Sequence, residues 1–190
     1  LPTNLTALIT DGAYDFNLSG QTYTLTADDD SVVVGNTLGF APSLKILGGT
    51  LAGKDGHVAT ASGGSGTVTV DGVGSAWTNS EYLTVGSLGT GALNVQAGGG
   101  VSSLAGYIGL YSDSVGAATV DGIGSTWTNS STLSAGSMGT GELNVQAGGV
   151  VSNTIGYIGH HTDSDGTVTV DGDGSTWTNS DNLYVGYYGT

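Results

Sequence analysis

The sequence predicts an all-β fold, a right-handed parallel β-helix (solenoid) in which each coil of roughly 25 residues supplies three short strands. The first observation is a repeat, since Trp77, Trp127 and Trp177 lie 50 residues apart in the near-identical stretches GSAWTNS, GSTWTNS and GSTWTNS. The second is a half-repeat, because residues 83–106 align on residues 107–131. The third is composition, since 36 of the 190 residues are glycine, which disfavours helices.

Each half-repeat contains three runs that have the pattern of strands. Val, Ile, Thr and Leu occur at every second position of these runs, and Gly, Ser, Asn and Asp bound them. No apolar pattern at helical spacing is sustained. Parallel strands joined by crossovers coil almost always to the right, which predicts the hand.

The chain divides into two parts. Residues 1–30 are less regular and are predicted to form an N-terminal cap with a degenerate first coil, to which LTALI (5–9) and TYTLTA (22–27) contribute strands. Residues 31–190 are predicted to form β-helix coils, with 50-residue double-coil repeats from about residue 66. Because the sequence stops within the third copy, we expect it to be truncated at its C-terminus from a longer protein.

Composition limits the partners. Sixteen acidic residues face only Lys45 and Lys54, which gives a net charge of −14. Nucleic acids and anionic membranes are recognised by clusters of Lys and Arg, so neither is an expected partner. The chain has no cysteine, and Thr, Ser, Asn and Gly dominate its polar surface, which suits hydrogen bonding to sugars or to other polar strands.

The repeats resemble those in the passenger regions of bacterial autotransporters. The residues that support this resemblance, 67–80, 117–130 and 167–180, belong to a motif of the form G-T-x-T-V-D-G-x-G-S-x-W-T-N-S. A second motif is GTGALNVQAGG from residue 89, repeated as GTGELNVQAGG from residue 139. The resemblance covers about residues 57–190. It implies a right-handed β-helix that a C-terminal β-barrel translocator exports across the outer membrane, to the bacterial cell surface or beyond. It also implies a role in adhesion, self-association, biofilm formation or virulence.

Three sets of repeated residues are predicted to be structural. The Asp-Gly pairs are typical of turns, because Asp caps its own backbone and Gly adopts a positive φ. The tryptophans alternate with Val101 and Val151 in one column, which favours a core role over sugar stacking on an exposed indole. Asparagines at the next corner, with Asn153 between two of them, are expected to satisfy one another along the axis. The sets are Asp71, Asp121, Asp171; Trp77, Trp127, Trp177; and Asn79, Asn129, Asn179.

The candidate binding site is an aromatic surface near the C-terminal end. If Val58, Val85, Ile108, Ala135, Ile158 and Val185 point inward, the preceding residues form the outward column His57, Thr84, Tyr107, Ser134, Tyr157 and Tyr184. The next corner adds further rings, which gives the predicted binding residues Tyr107, Tyr157, His160, His161, Tyr184, Tyr187 and Tyr188. Such rings carry sugars or contact proteins, although Tyr is also a common strand former that packs on its neighbours.

Metal binding and catalysis are not expected. His160 and His161 are adjacent and would point to opposite faces of a strand, so we predict no metal site and no cofactor. The acidic run Asp28–Asp30 is interpreted as a solvated loop. A neutral-glycan hydrolase needs two carboxylates about 5 to 10 Å apart. The pairs Asp113 with Asp163 and Glu81 with Asp181 lie at least two rungs apart on flexible turns without a cleft-forming insertion, and the repeats contain no Arg or Lys, so no enzyme is predicted.

The function predicted from the sequence is adhesion or self-association at the cell surface. The expected partners are a host extracellular matrix protein, a glycan or a neighbouring copy, with no nucleic acid and no direct membrane contact by this segment. A non-binding stalk that presents another domain is the alternative, which the regularity of the repeats favours. A polysaccharide-degrading β-helix enzyme is a lesser alternative.

Overall fold

The protein is described by a computed structural model. For residues 13–24 it describes the backbone and its strand pairing, and for residues 31–188 it describes the side chains as well. The strands, in chain order, are β1 (Ala13–Thr24), β2 (Ser31–Val34), β3 (Ser43–Gly53), β4 (Asp55–Val58), β5 (Ser65–Asn79), β6 (Tyr82–Val85), β7 (Thr90–Gln96), β8 (Gly100–Ser103), β9 (Ala105–Ile108), β10 (Val115–Asp121), β11 (Thr126–Asn129), β12 (Thr132–Ala135), β13 (Thr140–Gln146), β14 (Val150–Asn153), β15 (Ile155–Ile158), β16 (Asp165–Asp171), β17 (Thr176–Asn179) and β18 (Leu183–Val185).

The strands stack as a parallel β-helix with three faces. Face 1 is a seven-stranded sheet in the order β18-β15-β12-β9-β6-β4-β2. Faces 2 and 3 belong to one eleven-stranded sheet, in which β7, β10, β13 and β16 form one arm and β8, β11, β14 and β17 the other. The long strands β3 and β5 run through both arms and join them. Three short strands per coil are thereby confirmed. The right-handed coiling of the chain remains a prediction.

The interior is one continuous apolar column. Burial alternates along the strands, as in β7 and β10, where every second residue from Gly91 and Gly116 onward is buried. This period of two matches side chains that point alternately into and out of a sheet. The core contains Val68, Val70, Leu93, Val95, Val120, Leu143 and Val145 from face 2, with Leu83, Val85, Ile108 and Leu133 from face 1.

Large and small core residues are matched within each coil. Trp77 and Trp127 are fully buried and alternate with Val101 and Val151 along face 3, as predicted. The structure adds a second alternation that the sequence analysis missed. The coils with a tryptophan carry glycine at the facing position of face 1, whereas the coils with Val101 or Val151 carry leucine. These positions are Gly56, Leu83, Gly106, Leu133 and Gly156.

The corner between faces 2 and 3 is held by a repeated serine. The Asp-Gly turns are confirmed, since Gly72, Gly122 and Gly172 have φ of 92°, 89° and 89°. The Ser125 hydroxyl donates to the carbonyl oxygen of Asp121 at 2.6 Å and accepts from the Gly98 N–H of the neighbouring coil at 3.0 Å. Ser75 and Ser175 make the same pair of bonds. The side chain that closes the turn after Asp71, Asp121 and Asp171 is therefore this serine, and not the aspartate as the sequence suggested.

The predicted asparagine ladder is only partly formed. Asn153 donates to the Oδ1 of Asn179 at 2.6 Å, and its own Oδ1 accepts from the Trp177 indole N–H at 2.6 Å. Two coils back the equivalent of Asn153 is Ser103, which donates to Asn129 Oδ1 at 2.6 Å. The shorter serine leaves the Trp127 indole N–H and the Asn129 amide nitrogen without a hydrogen-bond partner among the described residues. Mutual pairing of corner amides thus holds for one pair.

The two ends of the described solenoid differ from its middle. β1 pairs in parallel with β3, so the coil pattern extends into the segment predicted as a degenerate first coil. The predicted strand at residues 5–9, the end of the cap and the run Asp28–Asp30 lie outside the described residues. Val185 lies in the inward column but is 72% exposed, because no coil within the described residues covers it. The described residues contain no helix that is long and apolar enough to span a membrane.

Candidate aromatic site on face 1

The outward column of face 1 has the predicted register. His57, Thr84, Tyr107, Ser134, Tyr157 and Tyr184 are successive partners across the parallel ladder. Because neighbouring strands lie about 4.8 Å apart, side chains of this column touch from one coil to the next. Tyr157 and Tyr184 stack with ring centroids 5.2 Å apart and planes at 17°.

The corner that follows face 1 adds four more rings to this pair. His160 stacks on Tyr157 with centroids 3.9 Å apart and an interplanar angle of 18°. Tyr187 packs against Tyr184 at 4.7 Å in a T-shaped arrangement, which is a favoured geometry for two aromatic rings. We call the set Tyr157, His160, His161, Tyr184, Tyr187 and Tyr188 the aromatic patch.

The second layer of the patch comes from consecutive residues of two corners. The Tyr188 N–H bonds to the His160 carbonyl oxygen at 3.2 Å, which places one corner directly on the other. The rings of His161 and Tyr188 are consequently stacked, at 5.8 Å and 15°. The expectation that the two histidines point to opposite faces is wrong, since they lie in a corner and their centroids are only 4.2 Å apart.

Tyr107 is separated from the aromatic patch. It contacts Tyr82 with ring centroids 6.3 Å apart, and the coil of Ser134 lies between it and Tyr157. Ser134 is fully buried although it points outward, because the tyrosines above and below cover it. The structure therefore brings six of the seven predicted binding residues together and leaves Tyr107 in a separate pair.

A row of exposed apolar side chains, which was not predicted from the sequence, leads along the corner into the patch. Backbone bonds between corners place Leu88, Tyr111, Met138, His161 and Tyr188 at equivalent positions in successive coils. Leu88, Tyr111, Met138 and Tyr188 are exposed. The half-repeat alignment contains this signal, because the five residues share one place in it, but their chemical types differ too much to stand out.

The patch is partly open to solvent. Tyr187 and Tyr188 are 45% and 59% exposed, whereas Tyr157 and His160 are half-buried beneath them. Burial lowers the pKa of His160, and the neighbouring His161 lowers it further. Burial raises the pKa of Tyr157, with a smaller contribution from the tyrosines around it. Both shifts favour the neutral forms of the Tyr157 and His160 side chains.

The repeated tryptophan and aspartate residues outside the patch make contacts within the fold. The buried indoles of Trp77 and Trp127 are inaccessible to a sugar ring. Asp71 pairs with Lys45 at 2.8 Å, and the hydrogen bond from that lysine lowers the pKa of the carboxyl group. No group of three or more His, Cys, Asp or Glu side chains suited to a metal ion occurs among residues 13–24 and 31–188.

Comparison of the chain with protein-family models, with curated proteins and with solved structures gives no match.

Proposed function

We propose that this chain is a passenger segment of a bacterial autotransporter that acts at the cell surface in adhesion or self-association, through the aromatic patch. The observation that carries the proposal is the gathering of six contiguous aromatic rings on face 1 and the corner that follows it. Exposed clusters of aromatic residues are typical of interaction sites, because Tyr combines a large contact area with a polar end. The repeat resemblance supports the location.

Charge narrows the class of partner. The net charge of −14 repels nucleic acids and anionic lipid surfaces, and both lysines lie at positions 45 and 54, far along the chain from the patch. An uncharged glycan, a matrix protein or a neighbouring copy remains as the partner. Of these, a neighbouring copy is also opposed by like charge, so self-association is expected to strengthen as salt screens the repulsion.

The role of a non-binding stalk has its own support. Strands β7, β10, β13 and β16 pair residue for residue over seven positions in each step, without a register shift. Such regularity produces a uniform rod whose stability is a sum of coil and neighbour terms. A rod of this kind would project another domain without contributing contacts of its own.

The experiment measures attachment by the purified chain and clumping of cells that display it. Fluorescent chain is titrated onto cultured epithelial cells and onto immobilised matrix proteins, and aggregation of displaying cells is followed by settling. Saturable attachment or clumping supports the proposed function. Linear, non-saturable signal together with no clumping would overturn it in favour of the stalk.

A further inference from the structure

The corner between faces 1 and 2 alternates between long and short loops. Residues 59–64, 109–114 and 159–164 form loops of six residues, whereas residues 86–89 and 136–139 form loops of four residues. Each long loop therefore projects beyond the short loop stacked on it. Between loops 109–114 and 159–164, two strand spacings or about 10 Å apart, this leaves a groove that crosses the rod.

The groove has polar walls and an uncharged floor. Ser112 and Asp113 lie in one wall, Thr162 and Asp163 in the other, and Met138 and Gly139 in the floor. It consists of two adjoining clefts of about 370 and 420 Å³ that share Ser112, Met138 and Thr162. The second cleft extends to His161 and Tyr188, so the groove opens onto the aromatic patch.

Hydrogen bonds fix the shape of both walls. The hydroxyl group of Ser114 donates to the Tyr111 carbonyl oxygen at 2.6 Å, and Ser164 makes the same bond to His161 at 2.6 Å. The floor is tightly seated as well, since a methyl group on Gly139 would lie 2.5 Å from the carbonyl oxygens of Tyr111 and Ser114. The groove is thus formed before any ligand arrives, which reduces the entropy that binding must overcome.

The two carboxylates occupy backbone positions that favour glycine. Asp113 and Asp163 have φ of 64° and 62°, and the equivalent residue of the first long loop is Gly63, with φ of 70°. A positive φ is costly for residues other than glycine, although Asp tolerates it better than most. The chain therefore places a carboxylate on each wall of this one groove, at positions where its own first loop carries the less strained residue.

We infer that this groove binds a segment of an uncharged oligosaccharide. Carboxylates accept hydrogen bonds from sugar hydroxyls, the wall hydroxyls donate and accept, and Met138 with the rings of His161 and Tyr188 offers apolar surface to the C–H face of a sugar. The inference rests on the proposed function, since it names the ligand of a surface continuous with the aromatic patch.

The same residues argue against other ligands. Asp113 and Asp163 repel anionic sugars, and no Lys or Arg lies in the repeats to offset them. At about 10 Å apart, the two carboxylates are too distant to share one cation. A basic peptide would pair with the carboxylates, but four hydroxyl side chains and a floor without charge give it few further ion pairs.

The test compares two double variants of the chain. Asp113→Gly with Asp163→Gly removes the wall carboxylates and installs the residue that Gly63 shows to suit this turn. The control, Asp173→Val with Asp181→Ser, removes the same charge outside the groove and introduces residue types that resemble Ile123 and match Ser131 at the equivalent repeat positions. Probes are immobilised β-glucan, mannan, galactan and chitin oligomers, with polylysine as the cationic comparison.

One or more uncharged oligosaccharides should bind the unmodified chain and the control, with a Kd at least tenfold higher for the groove variant. No binding of any uncharged oligosaccharide, equal loss in both variants, or binding confined to polylysine and abolished by salt would each overturn the inference. Attachment to cells is measured on the same proteins. If no uncharged oligosaccharide binds but the unmodified chain attaches saturably to cells, the groove inference fails while the proposed function stands. If none of the proteins attaches and displaying cells do not clump, the proposed function fails.

Discussion

The indole of Trp127 fills the space that Gly106 leaves free on the facing wall of the same coil. A methyl group on Gly106 would lie 2.8 Å from Cζ2 of Trp127 and 2.9 Å from Cδ1 of Leu133. The same relationship joins Gly56 to Trp77, where the distance is 2.5 Å. The 50-residue period therefore reflects two kinds of coil, one with Gly and Trp and one with Leu and Val.

Replacing Gly106 by alanine should destabilise the chain. The added methyl group overpacks a closed core, which typically costs about 1 to 3 kcal/mol. The free energy of unfolding from urea titration measures the change. Gly100→Ala is the matched control, since its methyl group would meet Oγ1 of Thr126 at an ordinary 3.4 Å and should leave stability nearly unchanged. Equal effects of the two substitutions would contradict the matching of Gly106 to Trp127.

Converting one coil to the other kind should recover much of the loss. Trp127→Val alone creates a cavity, and Gly106→Leu alone overpacks the core, whereas the double variant reproduces the Leu133 and Val151 arrangement. A double-mutant cycle should give a favourable coupling of about 1 to 3 kcal/mol. Simple additivity of the two single effects would show that the coils are not matched in this way.

Ser125→Ala should cost about 1 to 3 kcal/mol, because Ser125 is fully buried and its loss leaves the N–H of Gly98 and the carbonyl oxygen of Asp121 without their side-chain partner. Ser175→Ala removes the same two bonds from a more exposed corner and should cost less. Thermal unfolding of both variants provides the comparison. A larger loss for Ser175→Ala would contradict the role assigned to burial.

Ser103→Asn should stabilise the chain by about 1 kcal/mol, since asparagine at this position can accept from the unpaired Trp127 indole N–H as Asn153 does from Trp177. The reverse change, Asn153→Ser, should destabilise it. Hydrogen exchange of the indole N–H groups reports each bond directly. Unchanged protection of Trp127 in the asparagine variant would refute the pairing.

His160 should titrate below the usual histidine pKa of about 6.5. Its folded pKa is depressed, so the neutral form is favoured in the folded chain and the stability that this gives is lost as the pH falls below the unfolded value. His161→Gln should raise the pKa of His160, because it removes a neighbouring positive charge. NMR titration of the ring protons measures both values, and a pKa of His160 at or above that of a free histidine would contradict the burial argument.

The fold was predictable because its signals repeat. The tryptophan spacing, the Asp-Gly turns and the alternation of apolar and polar residues from Thr90 to Gln96 each recur along the chain. A structure predicted for one coil therefore applies to the other coils. What escaped prediction depends on contacts between different faces. Gly106 carries no side chain to reveal its partner Trp127, and Ser125 resembles any loop serine until Gly98 is seen beside it.

The part of the candidate site that lies in the outward column of face 1 was predictable from the sequence. Tyr157 and Tyr184 follow from strand register alone, and the structure places them in contact. The side-by-side packing of His160 and His161 was not foreseen, because a corner does not obey the alternation of a strand. The groove escaped prediction as well, since it arises from a difference of two residues between stacked loops.

The role of the aromatic patch is tested by the attachment of a chain with four substitutions, Tyr157→Ser, Tyr184→Ser, Tyr187→Ser and Tyr188→Ser. Serine occurs at the equivalents of positions 157, 184 and 187, which are Ser134 and Ser137, and Tyr188 is largely exposed, so the coil should still form, as circular dichroism and melting would verify. The control carries Val73→Ser and Ile123→Ser, which remove apolar side chains 89% and 88% exposed on a different corner. If the patch mediates attachment, the tyrosine variant loses saturable attachment and clumping while the control retains both. Full attachment by the tyrosine variant, or equal loss in both proteins, would contradict a role for the patch.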